Sequence, residues 1–231
     1  MISESGLWDM LQFLDGLFPS GAFAHSFGLE TLVQEGWVGD EAEAMEWLTE
    51  IVEDSWAWSD GMAATQVWSA GDRRNAIEHA ASVDAFLSAS RASRESREGS
   101  LMIGRRILQE AARLLADPEL VGYQSLVQEH PSLGNAAVVV SLIGLVRGWG
   151  ETATLAGYAY FSVSGMVQAL VRLIPLGQSS GQRLLHTLRP VAMAALDTVH
   201  GKSLEDMGSR MPLWEVAAMR HLVLYSRLFR S

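Results

Sequence analysis

The sequence has 231 residues, of which 48% are apolar and eight are Trp; it contains no Cys and carries a net charge of -10. This length and apolar content predict an ordered chain with a sizeable core, and they exclude intrinsic disorder. The lack of cysteine excludes disulfides, thiolate metal ligands and thiol catalysis, and it favours a cytoplasmic protein.

The negative charge is concentrated in the first third of the sequence. Residues 1–72 contain 14 acidic residues and no Lys or Arg, whereas the remaining residues contain 13 acidic and 17 basic residues. This balance argues against a nucleic-acid partner, which requires a basic surface. It permits docking to a cationic protein, although the acidic residues between Asp40 and Asp54 are also typical of a solvated helix face.

Apolar residues recur at helical spacing along the sequence, and no stretch alternates for long enough to require a strand. We therefore predict an all-α fold, a single-domain bundle of about eight to ten helices that spans residues 1–231. In the first third we expect helices at 7–17, 23–36 and 40–68. Asp40 is the expected N-cap of the third helix, with Glu43 completing a variant of the capping box. Gly71-Asp72 predicts the break after it.

Glycine and proline residues, together with the spacing of apolar residues, also divide the rest of the sequence into predicted helices. We expect residues 75–116 to be helical in two pieces that meet near Gly99, a new element from Asp117-Pro118, and helices at 135–146, 152–174, 181–200 and 213–229. Ser179 with Gln182 predicts a capping box before helix 181–200, and Pro190 predicts a kink or split within it. Residues 152–171 are uncharged, but their Gly, Ser and Gln residues indicate a buried helix rather than a membrane span.

The sequence offers little catalytic chemistry. Gly201-Lys202-Ser203 resembles the end of a phosphate-binding loop, but Leu196 occupies the position where that loop needs a glycine. None of the six His forms the i,i+4 pair of a helical metal site. His25, near Glu30, is a weak metal candidate, since such a loop histidine more often caps the chain or contacts a partner. We predict no catalytic residue, no cofactor, no resident metal and no enzymatic activity.

Two further segments are candidate contact surfaces. The turn from Ile174 to Arg183 ends one helix and begins the next, and its two Gln side chains either satisfy open main-chain groups or form a protein-contact surface. The last seven residues, 225–231, which we call the tail, combine aromatic, leucine and arginine side chains. That composition is typical of an interface hot spot, and the alternative is a last helical turn packed on its own core.

Three segments carry a resemblance to a known family, and they are Phe18-Pro19-Ser20-Gly21-Ala22-Phe23-Ala24-His25-Ser26-Phe27-Gly28-Leu29-Glu30, Arg172-Leu173-Ile174-Pro175-Leu176-Gly177-Gln178-Ser179-Ser180-Gly181-Gln182-Arg183 and Tyr225-Ser226-Arg227-Leu228-Phe229-Arg230-Ser231. In this order and at these distances they resemble the UreF family of urease accessory proteins. An Arg- and Glu-rich stretch at 91–106 and the hydrophobic approach to the Pro-Leu-Gly-Gln turn extend the resemblance to essentially the full length. Each motif is weak alone, but the ordered set is specific.

The resemblance implies an all-helical, dimeric, cytoplasmic chaperone of urease maturation without enzymatic activity. UreF-like proteins bridge a UreD/UreH-type accessory protein and the GTPase UreG, which binds the GTP, and the assembly inserts nickel into apo-urease. We therefore expect neither a nucleic-acid nor a membrane partner. By resemblance, the partner-binding residues are Phe23, His25, Ser26, Glu30, Pro175, Gly177, Gln178, Gln182, Tyr225, Arg227, Leu228, Phe229 and Arg230. The alternative function is a metallochaperone that binds nickel itself.

The sequence departs from the family pattern at one place. Relatives commonly have His-Glu ahead of the terminal Tyr-Ser-Arg-Leu-Phe, whereas here His221 is followed by Leu222. This departure puts in doubt any role that needs a carboxylate beside His221, and it leaves the rest of the resemblance unaffected.

Overall fold

The computed structural model describes residues 2–70 and 75–231, and within them the chain is helical without a β-strand, so the all-α prediction is confirmed. The predicted break at Gly71-Asp72 lies outside the described residues. Helix α3 is continuous over 41–68 and consists of Glu41–Glu50, a π-helical stretch Ile51–Gly61 and Met62–Trp68. The other nine helices in the described ranges are α1 Glu4–Phe13, α2 Leu29–Gln34, α4 Ala76–Ser90, α5 Arg94–Leu115, α6 Pro118–Glu129, α7 Ala136–Arg147, α8 Glu151–Leu173, α9 Gln178–Val199 and α10 Pro212–Arg220.

Helix α7 lies at the centre of the bundle and packs against α3, α4, α5, α6 and α8. Its residues are apolar on nearly every side, as expected of a helix surrounded by other helices, and every side chain from Ala137 to Ile143 is fully buried. Gly104 on α5 permits the close approach of the start of α7, because a Cβ there would lie 2.2 Å from the carbonyl oxygen of Gly134. None of the helices in the described ranges combines the length and apolarity that a bilayer crossing requires.

The N-cap prediction for α3 is confirmed. The Asp40 carboxylate accepts the main-chain N–H groups of Ala42 and Glu43, both at 2.9 Å. The Glu43 carboxylate in turn accepts the N–H of Gly39 at 2.8 Å, one residue before the N-cap, so the two side chains satisfy two open donors of the helix and the donor of the residue that precedes its cap.

The first two helices are shorter than the sequence predicts. Helix α1 ends at Phe13 instead of Leu17, and α2 begins at Leu29 instead of Phe23. Only a 3-10 turn, Ala22–Ala24, forms between them. Gly28 precedes α2 with a φ of 109°, and a Cβ at this position would lie 3.0 Å from the main-chain nitrogen of Ala218. The non-helical backbone from 24 to 28 is the part of the chain that contacts the tail.

The break between α4 and α5 lies at residues 91–93, so the prediction of a break near Gly99 is wrong. Ser93 caps α5 by accepting the N–H of Ser96 at 3.3 Å. The spacing in the sequence also predicts i,i+4 ion pairs of Arg91 with Glu95 and of Arg94 with Glu98. The second is confirmed at 2.7 Å, but Arg91 pairs with Asp60 at 2.6 Å instead of Glu95.

Two predictions for the last third are also wrong, the capping box at Ser179 and a last helix that reaches Phe229, and Pro190 does not split its helix. Gly177 precedes α9 and no side chain caps it, so Ser179 lies in the first turn and forms no capping box. Pro190 lies inside a continuous α9 on its exposed side, where water can bind the carbonyl group that loses its N–H partner. The last helix ends at Arg220, and a 3-10 turn, His221–Val223, leads into a tail that is not helical.

Candidate functional site

The tail lies along residues 24–30 and is bonded to them through the main chain. The N–H of Arg230 donates to the carbonyl oxygen of Ala24 at 2.8 Å. The N–H groups of Ser26 and Phe27 both donate to the Ser231 main-chain oxygen, at 2.5 and 3.0 Å. The first and third of the resembling segments therefore form one structural unit, which we call the tail dock: residues 24–30 and the tail, with Glu95 and His221.

Glu30 is the centre of the tail dock. Its carboxylate accepts the N–H groups of Leu228 at 2.6 Å and Phe229 at 3.0 Å, and it contacts Nε2 of His221 at 2.9 Å. The residue is 2% exposed. Burial on its own would raise the pKa of Glu30, but the hydrogen bonds from Leu228, His221 and Phe229 outweigh it and hold that pKa below the ordinary value.

His221 joins two carboxylates that come from distant parts of the chain. Its ring is fully buried, with Nδ1 2.7 Å from the Glu95 carboxylate and Nε2 facing Glu30. The second oxygen of Glu95 pairs with the Arg227 guanidinium at 3.0 Å. Although Leu222 follows His221 in sequence, helices α2 and α5 place two carboxylates beside its ring.

His25 lies next to the end of the tail. Its Nδ1 is 2.7 Å from the Ser231 hydroxyl, while its buried Nε2 has no hydrogen-bond partner among the described residues. Burial, with the nearby charges of Arg230 and His221, lowers the pKa of His25 to about 4, so this ring is neutral near pH 7. Gly99 of α5 leaves room for it, because a Cβ there would lie 3.0 Å from Nδ1.

The docked tail has a buried side and an exposed side. Phe229 is buried, and the guanidinium of Arg172 lies 4.2 Å from its ring centroid, the geometry of a cation–π contact. The same guanidinium donates to the carbonyl oxygen of Phe23 at 2.6 Å. On the other side Phe23 is 74% exposed, Leu228 is 56% exposed and Tyr225 is fully exposed.

Comparison with known proteins identifies the relatives of this chain. A family model described as UreF matches residues 38–189. The urease accessory protein UreF of Arthrobacter sp. (strain FB24) is 34% identical over 220 residues, which cover 95% of each chain. The chain belongs to the UreF family of urease accessory proteins. UreF of Lachnoclostridium phytofermentans is 33% identical over 96% of this chain and 97% of its own, and UreF of Streptococcus salivarius (strain 57.I) is 34% identical over 100% and 97%.

Arg172 connects the second of the resembling segments to the tail dock. It lies in the last turn of helix α8 and contacts both Phe23 and Phe229, so all three resembling segments meet at this residue. The turn that follows is exposed at each of the four predicted positions, Pro175, Gly177, Gln178 and Gln182. Beyond it, Arg183 binds both carboxylate oxygens of Glu41 at 3.0 and 2.7 Å, which fixes the turn against α3.

A cavity of about 100 Å³, with a mainly apolar lining that also contains polar side chains, lies behind the tail dock. An ion pair of Arg91 with Asp60 at 2.6 Å lines it, and the Tyr158 hydroxyl donates to the same Asp60 at 2.8 Å. His25 also lines the cavity, together with the serines Ser26, Ser55, Ser59, Ser90, Ser96, Ser100, Ser162 and Ser209. No group of three or more metal-ligating side chains in the described ranges is arranged to hold an ion.

The sequence analysis missed the two residues that complete the tail dock from outside the resembling segments. Glu95 was assigned to an ion pair along its own helix, and His221 was noted only for the residue that follows it. No local signal sets them apart, because Glu95 lies in a stretch rich in Arg and Glu and His221 follows Arg220, although both are buried in the fold. A buried charge requires a partner, but the sequence does not say which one.

Proposed function

We propose that this UreF-family chain is a non-catalytic, cytoplasmic scaffold that acts as a dimer, bridging a UreD/UreH-type accessory protein and the GTPase UreG during nickel insertion into apo-urease. The single observation that carries this proposal is the tail dock. A chain segment with hot-spot composition is fixed on the body by buried polar contacts and by the buried Phe229 ring, while Tyr225 and Leu228 face outward.

The exposed side of the tail is suited to protein recognition. Tyr225, Leu228 and Phe23 present aromatic and aliphatic surface, and the Arg227 side chain, 40% exposed, adds a guanidinium already paired with Glu95. Exposed apolar side chains that are grouped together typically mark an interaction site, and Tyr and Arg are enriched among hot spots. The tail dock therefore supports the assignment of Tyr225, Arg227 and Leu228 to partner contact.

The buried side of the tail supports the same proposal in a different way. Because Glu30, His221 and the Ser231 oxygen hold the tail in one conformation, a partner that binds it pays less conformational entropy than it would for a disordered segment. His25, Ser26, Glu30 and Phe229 act through this positioning, since their side chains are themselves buried.

A bridging protein needs a second surface, and helix α3 offers one. Glu43, Glu46, Glu50 and Glu53 recur at spacings of three and four residues, and all are exposed. No ion pair between these four and another described residue is formed. An acidic face of this kind is complementary to a cationic partner, and the exposed turn at 175–182 lies beside it through the Arg183–Glu41 pair.

The experiment that tests the scaffold is co-expression of this chain with its UreD/UreH-type and UreG partners, followed by size-exclusion chromatography with mass detection. We expect a stoichiometric complex built on a dimer of this chain. The double variant Tyr225→Ala/Leu228→Ala should lose the UreD/UreH-type partner while its circular dichroism stays unchanged, because both side chains point away from the body.

A matched control uses the same residue types elsewhere on the surface. Tyr160 on α8 is 57% exposed and Leu11 on α1 is 60% exposed, so Tyr160→Ala/Leu11→Ala removes comparable apolar surface away from the tail. This control should keep the complex. A complex that survives the tail double variant would contradict the role of the tail.

The alternative function, a chaperone that binds nickel itself, rests on one observation, the unpartnered Nε2 of the neutral His25. Calorimetric titration of the isolated chain with nickel decides between the two. Tight binding that His25→Ala abolishes would favour the nickel carrier, whereas an isolated chain that binds no nickel but forms the complex favours the scaffold.

A further inference from the structure

The hydrogen bonds around His221 define its charge. Its two ring nitrogens each face a carboxylate oxygen, Nδ1 at 2.7 Å from Glu95 and Nε2 at 2.9 Å from Glu30. An ionised carboxylate only accepts hydrogen bonds, and a neutral imidazole has one N–H and one lone pair. A neutral ring would therefore point a lone pair at one carboxylate, in a site from which water is excluded.

Neither carboxylate is free to take the proton instead. Both oxygens of Glu30 already accept main-chain N–H groups, from Leu228 and Phe229. The second oxygen of Glu95 accepts from the Arg227 guanidinium. Every oxygen of the two carboxylates thus faces a donor, which is the arrangement of two ionised groups.

The charge balance leads to the same assignment. Glu30 on α2 and Glu95 on α5 contribute two negative charges, and Arg227 on the tail contributes one positive charge, so a protonated His221 brings this buried group to neutrality. Other charged and titratable groups lie near this site. They are Arg230 and the neutral His25 at the tail, Glu215 on α10, which accepts the N–H of Ser93, and Arg220 paired with Glu35.

We propose that His221 is held as an imidazolium and that its second proton keeps the tail docked, so that the tail leaves the body when this proton is lost. Loss of the proton leaves one carboxylate facing a lone pair and returns the site to a net negative charge. Because the tail carries the surface assigned to partner contact, the consequence for assembly rests on the proposed function, whereas the charge state of the ring does not.

The ring state is measured directly on the isolated chain by ¹⁵N NMR of labelled histidine, in which an imidazolium and each neutral tautomer have distinct nitrogen shifts. At pH 7 we expect His221, assigned through His221→Gln, to be an imidazolium. His25 serves as an internal reference for a neutral buried ring. A neutral His221 ring at pH 7 would overturn the proposal.

Tail release is measured by ¹⁹F NMR of 4-fluorophenylalanine at Phe229, assigned through Phe229→Leu. The docked signal, from a buried ring under Arg172, should be lost over the same pH interval in which the His221 nitrogens report deprotonation. A docked signal that persists after the ring has lost its proton would contradict the proposal.

Glu95→Gln separates a proton-dependent tail from general alkaline unfolding. The amide oxygen can still accept from Arg227, and the amide N–H₂ can donate to an unprotonated Nδ1, so a neutral His221 fits this variant. We expect its tail to stay docked at the pH that releases the wild-type tail. His200→Gln, at an exposed histidine, is the matched control and should release its tail at the wild-type pH. If the tail of Glu95→Gln is released at the same pH as the wild-type tail, while circular dichroism shows that the helix content is intact, the proposal is wrong.

A partner-binding arm distinguishes this inference from the proposed function. Binding of the UreD/UreH-type partner is measured below and above the pH of ring deprotonation, for wild type and Glu95→Gln. We expect wild type to lose binding above that pH and Glu95→Gln to retain it. If neither binds at any pH while both NMR results hold, the proposed function fails and the proton-dependent tail stands.

Discussion

Two buried carboxylates in this bundle, Asp84 and Glu30, each hold a non-helical segment by accepting its main-chain N–H groups. Asp84 on α4 accepts the N–H groups of Gly134 at 2.5 Å and Asn135 at 3.0 Å, as well as the Tyr123 hydroxyl. Glu30 accepts those of Leu228 and Phe229. The first carboxylate holds the start of the central helix α7, and the second holds the tail.

The two sites differ in the charge of their donors. All donors to Asp84 are neutral, and burial raises the pKa of this carboxyl despite its hydrogen bonds. Around Glu30 the donors include His221, with Arg227 one step away, and the pKa of Glu30 is lowered. The contact at Asp84 involves only neutral donors, whereas the contact at Glu30 also involves histidine and arginine, so the proposed dependence on a proton applies to the tail and not to the start of α7.

The largest expected effect comes from Asp84→Ala. This change leaves several N–H and O–H donors of Gly134, Asn135 and Tyr123 without an acceptor in the core, and we expect the free energy of unfolding to fall by about 3–5 kcal/mol. Urea denaturation measures it. The exposed Asp197→Ala on α9 is the matched control and should stay within about 0.5 kcal/mol of wild type. If Asp84→Ala lowers the free energy of unfolding by less than about 0.5 kcal/mol, the hydrogen bonds to Asp84 are not needed to hold the start of α7.

The second prediction concerns pH and His25. The pKa of this histidine is lowered from 6.5 to about 4, so between these values the unfolded chain binds more protons than the folded one. The contribution of His25 to stability is therefore complete above pH 6.5 and is lost as pH falls toward 4, by about 2–3 kcal/mol. His25→Asn, which can retain a bond to Ser231, should flatten the urea-denaturation profile across this window. An unchanged slope would contradict the buried, neutral ring.

Glu30→Gln should lower the free energy of unfolding less than Asp84→Ala does, but it should disrupt the docking of the tail. The amide keeps one acceptor but loses the charge that faces His221, and we expect a loss of about 1–2 kcal/mol in the free energy of unfolding. The tail should nevertheless be released, with the ¹⁹F signal of Phe229 moving to its solvent-exposed position. Glu35→Gln, which removes only the exposed ion pair with Arg220, is the control and should leave the tail docked.

The smallest effect is expected for Gly99→Ala. This change should stabilise helix α5 and destabilise the tail dock. Alanine favours helix α5 by up to about 1 kcal/mol relative to glycine. Its Cβ, however, would lie 3.0 Å from both Nδ1 of His25 and the Phe27 ring, so the tail dock must shift. We expect unchanged or raised thermal stability together with a weakened docked ¹⁹F signal. A docked signal equal to that of wild type would show that residues 25–27 accommodate the methyl group freely.

The sequence predicts the helices of this bundle well where apolar spacing decides the structure, as in α7 and α8. It fails where a distant contact competes for the main chain. Residues 23–28 and 221–229 have helical spacing, but their N–H and carbonyl groups are used by each other and by Glu30. Those contacts join residues about 200 positions apart, and local patterns carry no information on such pairings.

For the candidate site, the resemblance identified the right segments but did not predict how they contact one another. His25, Ser26 and Glu30 were expected at a partner surface, and the structure places them beneath the tail. Glu95 and His221 were missed because a buried ion pair between helices depends on how α2, α5 and α10 pack. The roles of Pro175, Gly177, Gln178 and Gln182 remain predictions, since their side chains are exposed and form no part of the tail dock.

The separation between Glu30 and Leu228, 198 residues, also has a consequence for biosynthesis. A ribosome synthesises the acceptor near the start of translation and the donors near its end, so the nascent chain carries an unoccupied Glu30 for most of its synthesis. In any chain interrupted before residue 228, the Glu30 carboxylate and the apolar site that buries the Phe229 ring remain unoccupied. The surface proposed for partner contact would thus exist only on chains whose translation has passed this point, and truncated products would expose the sites that the tail covers.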